Sequence, residues 1–459
     1  MKYCLLLIGL LFSISTRCAE PEYFRFRVYL KDKGDCGNLL ATPESFLSER
    51  AVGRRARQHL PIDKSDLPVS SNYKKSLSAT GARIVTESKW MNTVVVESAD
   101  SSLAFRLKEL PMVDSVCYVW KGFKADTQPA DESRTFIAVD EEKKKSYYGH
   151  ADTQVKMLNG KKLHRAGFKG SGVQIAVIDA GFANVDRIDA FRSAKILGTY
   201  DASVPGRSVF EGDEHGTKVF SCLAANAPHV IVGTAPEASY WLIKSEDTQS
   251  EYPIEEDYWV AAVEFADSVG ADVVTSSLGY YSYDDASLNY EPEQLDGKSS
   301  LISRAASKAA AKGLLVFTSA GNEGGASWHK ITFPADAFGA VTVGAVTENK
   351  SPCSFSSCGF TADGRLKPDI VSMGGGCAVL EADGKLCFAD GTSFSTPILA
   401  GLGACLWQAL PKLTAEEIKM LIFRYASMND KPNASMGRGI PDMYKSYKKG
   451  GKHVAGRNR

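Results

Sequence analysis

Four short stretches of the chain hold side chains whose types suit one reaction. Asp179 ends the apolar run Val173-Gln174-Ile175-Ala176-Val177-Ile178. His215 opens His215-Gly216-Thr217-Lys218-Val219-Phe220-Ser221, with acidic and glycine residues just before it. Ser393 lies in Gly391-Thr392-Ser393-Phe394-Ser395-Thr396-Pro397, and Asn322 in Ser319-Ala320-Gly321-Asn322-Glu323-Gly324. Taken singly, each has an ordinary explanation. An acid after a strand caps a turn, a serine before an apolar helix is an N-cap, and an asparagine in a glycine-rich loop makes turns. Taken together, they are what acyl transfer needs. A serine hydroxyl is inert at neutral pH until an imidazole removes its proton. A carboxylate fixes the imidazole tautomer and stabilises the imidazolium. An amide donor then holds the tetrahedral oxyanion.

Such residues must be positioned by a common framework, and the pattern from 151 to 445 supplies one. The run Val173–Ile178 reads as a strand buried on both faces of a parallel sheet. Tyr258–Val269 and the alanine-rich Leu301–Ala311 read as helices. Residues 272–275, 314–318 and 340–346 read as further strands. Alternation of this kind predicts an α/β fold, a mostly parallel sheet with helices on both faces. Ligands of such sheets sit outside the carboxyl ends of the strands, where Asp179 and Asn322 fall. Pro397 lacks an N–H and belongs in a first helical turn, so the helix over 398–410 must begin near Ser393. That places the hydroxyl at a positive helix end.

Ahead of this region, residues 23–124 read as a small α+β unit. Phe24-Arg25-Phe26-Arg27-Val28-Tyr29-Leu30 alternates, as a half-buried strand does. Residues 43–58 look helical. Strands at 83–85 and 93–97, a helix over 101–110 and a strand at 116–119 give half of a ferredoxin-like pattern. Residues 125–150 are rich in charge, including Lys143-Lys144-Lys145, and read as a surface linker. Residues 446–459 read as a basic disordered tail. Apolar residues are 44% and charged residues 24%, which excludes a disordered chain. Lys+Arg and Asp+Glu are both 54, so no net basic surface announces a nucleic-acid partner.

Residues 1–19 carry Lys2 and then a short apolar run, too short to span a bilayer and of the length of a secretory signal. A membrane anchor, or lipid attachment at Cys18, is the rival reading. The other eight cysteines fall to an exported chain that permits disulfides. Local bridges Cys353–Cys358 and Cys377–Cys387 are expected from proximity, whereas Cys222 and Cys405 sit in apolar helical runs as buried thiols. The spacings do not make a zinc site.

The order Asp…His…Ser with these flanks resembles the subtilisin-like serine proteases, of the exported bacterial type with an N-terminal propeptide. His-Gly-Thr, Ala-Gly-Asn and Gly-Thr-Ser-x-Ser-x-Pro occur in sequence, and Gly170-x-Gly172-Val173 and Ser277-Leu278-Gly279 fit as well. The match runs over about residues 160–445, more than half of the chain. The resemblance implies Asp179, His215 and Ser393 as catalytic triad, with Asn322 and the Ser393 N–H as oxyanion hole. It implies that Ser277, Leu278, Gly279, Ala320 and Gly321 bind substrate backbone. It implies that residues 20–124 are a ferredoxin-like propeptide that assists folding and blocks the cleft. Three positions depart from the family pattern: Ala180 where Ser or Thr is more usual, Lys218 for a second histidine, and Phe394 for a methionine. Many members bind calcium; Asp284-Asp285 could offer oxygens, but no spacing supports a site and no cofactor is expected. The expected protein is a monomeric endopeptidase made as a zymogen, secreted or periplasmic in a Gram-negative cell envelope. Its partners are protein or peptide substrates and its own propeptide, not nucleic acid. A catalytically silent peptide-binding scaffold and an esterase using the same triad are the alternatives.

Overall fold

The computed structural model describes residues 22–123, 136–139 and 141–457. The expected signal over 1–19 and residues 125–135 and 140 of the expected linker lie outside these residues. The N-terminal unit runs β1 (Tyr23–Leu30), α1 (Glu49–Arg57), α2 (Ser71–Ser78), β2 (Arg83–Ser88), β3 (Thr93–Ser98), α3 (Leu103–Lys108) and β4 (Val113–Gly122). Its sheet is antiparallel in the order β2-β3-β1-β4. This completes the ferredoxin-like pattern, with α1 and α2 both placed in the first crossover. Phe26, Val28, Val94 and Val96 bury one sheet face with Leu77, Leu103 and Leu107 from α2 and α3. Trp90, Val95, Val119 and Trp120 bury the other face against the second unit.

The second unit begins earlier than 151. Ile137 bridges to Ile188, Gly149 to Ile231, and Tyr148 is buried. The described part of the expected linker is thus packed on the unit: a few apolar side chains among the charges decide its course. After α4 (Asp152–Met157) and α5 (Gly160–Arg165) come β5 (Gln174–Asp179), β6 (Lys195–Asp201), α6 (His215–Ala224), the short hairpin β7 (Asn226–Ala227) and β8 (Ile231–Val232), then β9 (Ser239–Lys244) and α7 (Ile254–Val269). β10 (Val273–Ser276), α8 (Leu301–Ala311), β11 (Leu315–Ser319) and β12 (Val341–Val346) follow. Then come the short hairpin β13 (Gly359–Phe360) and β14 (Leu366–Lys367), the strand β15 (Ile370–Met373) and the hairpin β16 (Cys377–Leu380) and β17 (Leu386–Ala389). The chain closes with α9 (Thr392–Ala409), α10 (Ala415–Arg424) and α11 (Met443–Arg457).

Seven parallel strands form the main sheet in the order β15-β12-β11-β10-β5-β9-β6. Helices α6 and α9 cover one face, and α7 and α8 cover the other. The central strands β5, β10 and β11 are buried on both faces and mostly apolar, with polar residues gathered at their carboxyl ends.

Two expectations are corrected. The described part of the expected tail, residues 446–457, is helical: Asp442 caps α11 through the Lys445 N–H at 2.9 Å, and Met443 is fully buried. The ring of Tyr447 packs on Phe168 with centroids 5.0 Å apart, which anchors the first turns. The described cysteines are all free. In the β16–β17 hairpin Cys387 lies opposite Val379 and Cys377 opposite Ala389, so proximity in sequence does not face them.

Candidate active site

Asp179 is the last residue of β5, between β10 and β9, and is fully buried. Its Oδ1 accepts the Ala180 N–H at 2.9 Å and the His215 Nδ1–H at 2.6 Å. Two glycines let the strand end and α6 approach that closely. A Cβ on Gly216 would lie 2.3 Å from the Gly181 carbonyl oxygen, and one on Gly181 would lie 2.7 Å from that of Asp213. Thr217 ties α6 to the same loop through the Ala183 carbonyl at 2.8 Å.

His215 is the first residue of α6 and its N–H is held by Asp213 at 2.7 Å. The side chain is one-third exposed. Burial pushes its pKa down, but the Asp179 charge, its hydrogen bond and the Asp213 charge outweigh this, and the pKa is raised above 6.5. The Phe394 ring stands beside it, centroids 6.2 Å apart. Lys218, the departure on α6, pairs with Glu214 at 2.7 Å and Glu381 at 3.5 Å.

Ser393 occupies the second position of α9; Pro397 is the sixth residue, inside the helix and past the first turn expected from its missing N–H. The Ser393 carbonyl, which Pro397 leaves without an intrahelical donor, accepts the Ser277 hydroxyl at 2.8 Å, and the Ser393 hydroxyl donates to the Ser277 carbonyl at 3.4 Å. The hydroxyl therefore rests on the β10 side of the cleft; among the described residues it is not hydrogen-bonded to His215. Catalytic contacts of this kind often tighten only with substrate in place. Asn322 is oriented by Thr392, whose N–H and hydroxyl both donate to its Oδ1 at 2.9 Å. The NH₂ end is left for the cleft.

His215, Asn322 and Ser393 line one open cavity of about 280 Å³, together with Ser277, Leu278 and Gly279. The backbone of Leu278 and Gly279 enters no backbone–backbone hydrogen bond among the described residues, although the Leu278 carbonyl accepts the Ser319 hydroxyl at 3.4 Å. Gly321 lines the same cavity, but Ala320 does not. Ala320 is fully buried, its N–H donating to the Val343 carbonyl and its carbonyl accepting the Thr332 N–H. Larger cavities of about 540 and 530 Å³ lie along the seam between the two units and hold neither Ser393 nor His215. Of the two loop acids, Asp284 accepts the Glu251 N–H, and Asp285 accepts the Ser287 N–H and hydroxyl.

Sequence reasoning did not single out Asp213, the glycine pair Gly181 and Gly216, or Thr392. An acid two residues before a helix start is a capping signal, so Asp213 was findable. The other three act through contacts across the fold.

A family model described as Subtilase family matches residues 170–439, more than half of the chain. A second, described as Peptidase S8 propeptide domain, Bacteroidota, matches residues 25–134. Over 391 residues the chain is 25% identical to subtilisin E of Bacillus subtilis (strain 168), covering 82% of this chain and 87% of that one. It is 28% identical over 268 residues to subtilisin DY of Bacillus licheniformis, covering 58% and 87%. With subtilisin Savinase of Lederbergia lenta the identity is 28% over 258 residues, covering 56% and 84%. The parallel sheet, the residues gathered at its carboxyl edge and these relationships agree, and the chain belongs to the subtilase family as a serine endopeptidase that carries a propeptide.

Proposed function

We propose that Asp179, His215 and Ser393 are the catalytic triad of an exported endopeptidase made as a zymogen. A substrate strand adds to Ser277–Gly279 and brings its carbonyl to Ser393. The Ser393 hydroxyl turns from the Ser277 carbonyl toward His215, which takes its proton as Oγ attacks. Asp179 holds the imidazole by Nδ1 and stabilises its charged form. The Asn322 NH₂ and the Ser393 N–H, free at the start of α9, stabilise the oxyanion. His215 then protonates the leaving amine, and water repeats the sequence to release the acyl-enzyme.

The observation that carries this reading is the His215–Asp179 pair at 2.6 Å, opening into the cavity that Ser393 and Asn322 also line. Residues 1–19 direct the chain out of the cytoplasm, to the periplasm or beyond, where it works as a monomer on protein substrates. The N-terminal unit remains docked on α7 and α8 until it is cut away.

A fluorophosphonate probe is expected to label Ser393 in the processed protein. Ser393→Ala lowers kcat on casein by on the order of 10⁶-fold. Undiminished turnover in that variant refutes the assignment. Turnover of short-chain esters without casein moves the chemistry to an esterase. N-terminal sequencing of the secreted product locates both the signal and the maturation cut.

A further inference from the structure

The cleft runs between two backbone stretches that leave neighbouring strands of the sheet. Ser277–Tyr280 follow β10, and Ser319–Glu323 leave the end of β11. A third stretch joins them. The Thr332 N–H donates to the Ala320 carbonyl at 3.1 Å, and Phe333 and Tyr280 exchange N–H···O bonds of 3.0 and 2.9 Å. This crosspiece is thus pinned to both walls of the cleft. Thr332 lines the same cavity as Ser393 and Asn322, and it is 3% exposed.

The side chain of Thr332 occupies the space between the walls. A Cβ on Gly279 would lie 2.1 Å from Thr332 Oγ1 and 3.0 Å from its Cβ. A Cβ on Gly321 would lie 2.8 Å from Oγ1 and 2.9 Å from Cγ2. Both walls are glycine where they face Thr332, and their backbones close directly on it. A β-branched side chain keeps two heavy atoms on Cβ in every rotamer, so it does not turn out of the gap. Its hydroxyl does not hold it there, because Oγ1 has no hydrogen-bond partner among the described residues. Its shape and the pinned backbone do.

We propose that Thr332 determines the side chain accepted on the acyl side of the cut bond, restricting it to glycine, alanine or serine; this rests on the protease reading. In that reading the carbonyl under attack lies between Ser393 and Asn322, with its chain along Ser277–Gly279. The side chain of the same residue then points between Gly279 and Gly321, toward Thr332. A small side chain stops short of the threonine. A leucine or phenylalanine must overfill the gap or push a wall aside. A displacement of about 1 Å at the reacting atoms costs on the order of 10²-fold in rate. The rim offers one rival feature. Glu323 lines the cleft and accepts the Tyr281 hydroxyl at 2.9 Å, and a carboxylate there suits a lysine that reaches past the gap.

The test uses enzyme matured from the full chain and matched peptides with Gly, Ala, Ser, Leu, Phe or Lys on the acyl side of the cut bond. Ala should exceed Leu and Phe by about 100-fold in kcat/KM, within the range by which a pocket discriminates side-chain size. The Ala-to-Leu ratio should fall at least about tenfold in Thr332→Ala and further in Thr332→Gly, through faster turnover of the Leu peptide. Thr332→Val keeps the branched shape without the hydroxyl and should keep the ratio. Fluorophosphonate labelling counts competent sites in each variant, so misfolding is not read as altered preference. Thr332→Ala carries the test if Thr332→Gly goes unlabelled. A labelled parent that cuts after Leu or Phe as fast as after Ala overturns the proposal and leaves the protease reading intact. So does a ratio that survives both truncations, or one that is lost in Thr332→Val. A preference for Lys that disappears in Glu323→Gln assigns the selection to the rim and also overturns it. A parent chain that is neither labelled nor active sinks the protease reading, and this proposal with it.

Discussion

At the scale of single residues, the proposed triad makes the imidazole of His215 the group whose protonation decides activity. Its folded pKa is raised because Asp179 and Asp213 favour the charged form more than burial disfavours it. A general base must be neutral to accept a proton, so kcat/KM should rise with pH through a midpoint above the ordinary 6.5. Asp213→Asn keeps an acceptor for the His215 N–H but removes a negative charge. The imidazolium then loses support, the pKa falls, and the acid limb should move to lower pH. A profile that stays put, or moves upward, removes Asp213 from the electrostatics of the site. The reacting side chains themselves were legible because each sits where one element ends and the next begins. Asp179 closes an apolar strand, and Ser393 stands just ahead of the apolar helical run that begins at Ile398. The place of Thr332 was not legible. It lies beyond the Asn322 loop in Ile331-Thr332-Phe333, and it joins the cleft only when Thr332 and Phe333 bond to Ala320 and Tyr280.

At the scale of elements, the approach of α6 to the end of β5 sets the distance from base to carboxylate. Gly216 is where that approach is closest. Within a helix, alanine is favoured over glycine by about 1 kcal/mol, so Gly216→Ala should help α6 considered alone. Here the added Cβ would meet the Gly181 carbonyl at 2.3 Å, backbone against backbone, and the helix must move away. A shift of about 1 Å at a catalytic pair costs on the order of 10²-fold in rate. Gly216→Ala should therefore lower kcat by about that factor while KM changes little, which steady-state kinetics on one peptide can show. Unchanged kcat would mean that the loop at Gly181 yields instead. This close approach is a property of two elements in contact, and neither segment of sequence reveals it. The elements themselves were readable where period and length agree, as in α8, found at Leu301–Ala311. The alternation in β1 gave the strand but misled on its charged face. Arg25 and Arg27 point at α7 and not at water: Arg27 grips Asp257, and Arg25 reaches Glu97 and the Tyr258 hydroxyl.

At the scale of the whole molecule, that seam decides how firmly the N-terminal unit holds the peptidase. Apolar side chains at its centre, Trp90, Val95, Val119 and Trp120, join the core beneath α7 and α8. Around them run ion pairs that take one partner from each unit. Arg54 and Arg55 share Asp267, Lys312 reaches Asp66 at 2.6 Å, and Glu264 accepts the Ser88 hydroxyl and the N–H groups of Lys89 and Trp90. Arg27 and Asp257 form the pair with the cleanest test. They meet at 2.6 Å, their side chains are 8% and 3% exposed, and Arg27 also donates to the Pro253 carbonyl. Removing one member strands a buried charge, at a cost of about 3–5 kcal/mol, whereas replacing both with apolar groups is often nearly neutral. In an intact chain carrying Ser393→Ala, so that no self-cleavage intervenes, Arg27→Met should lower the free energy of unfolding in urea by about that amount. Adding Asp257→Leu should restore most of it, to within about 1–2 kcal/mol of the parent. Such a cycle separates a pair that specifies how the units dock from one that supplies net stability. If Arg27→Met costs nothing, this pair adds nothing to docking, which then rests on the apolar centre and the other polar contacts of the seam. If the double variant stays as unstable as the single one, the arginine contributes attraction that packing cannot replace.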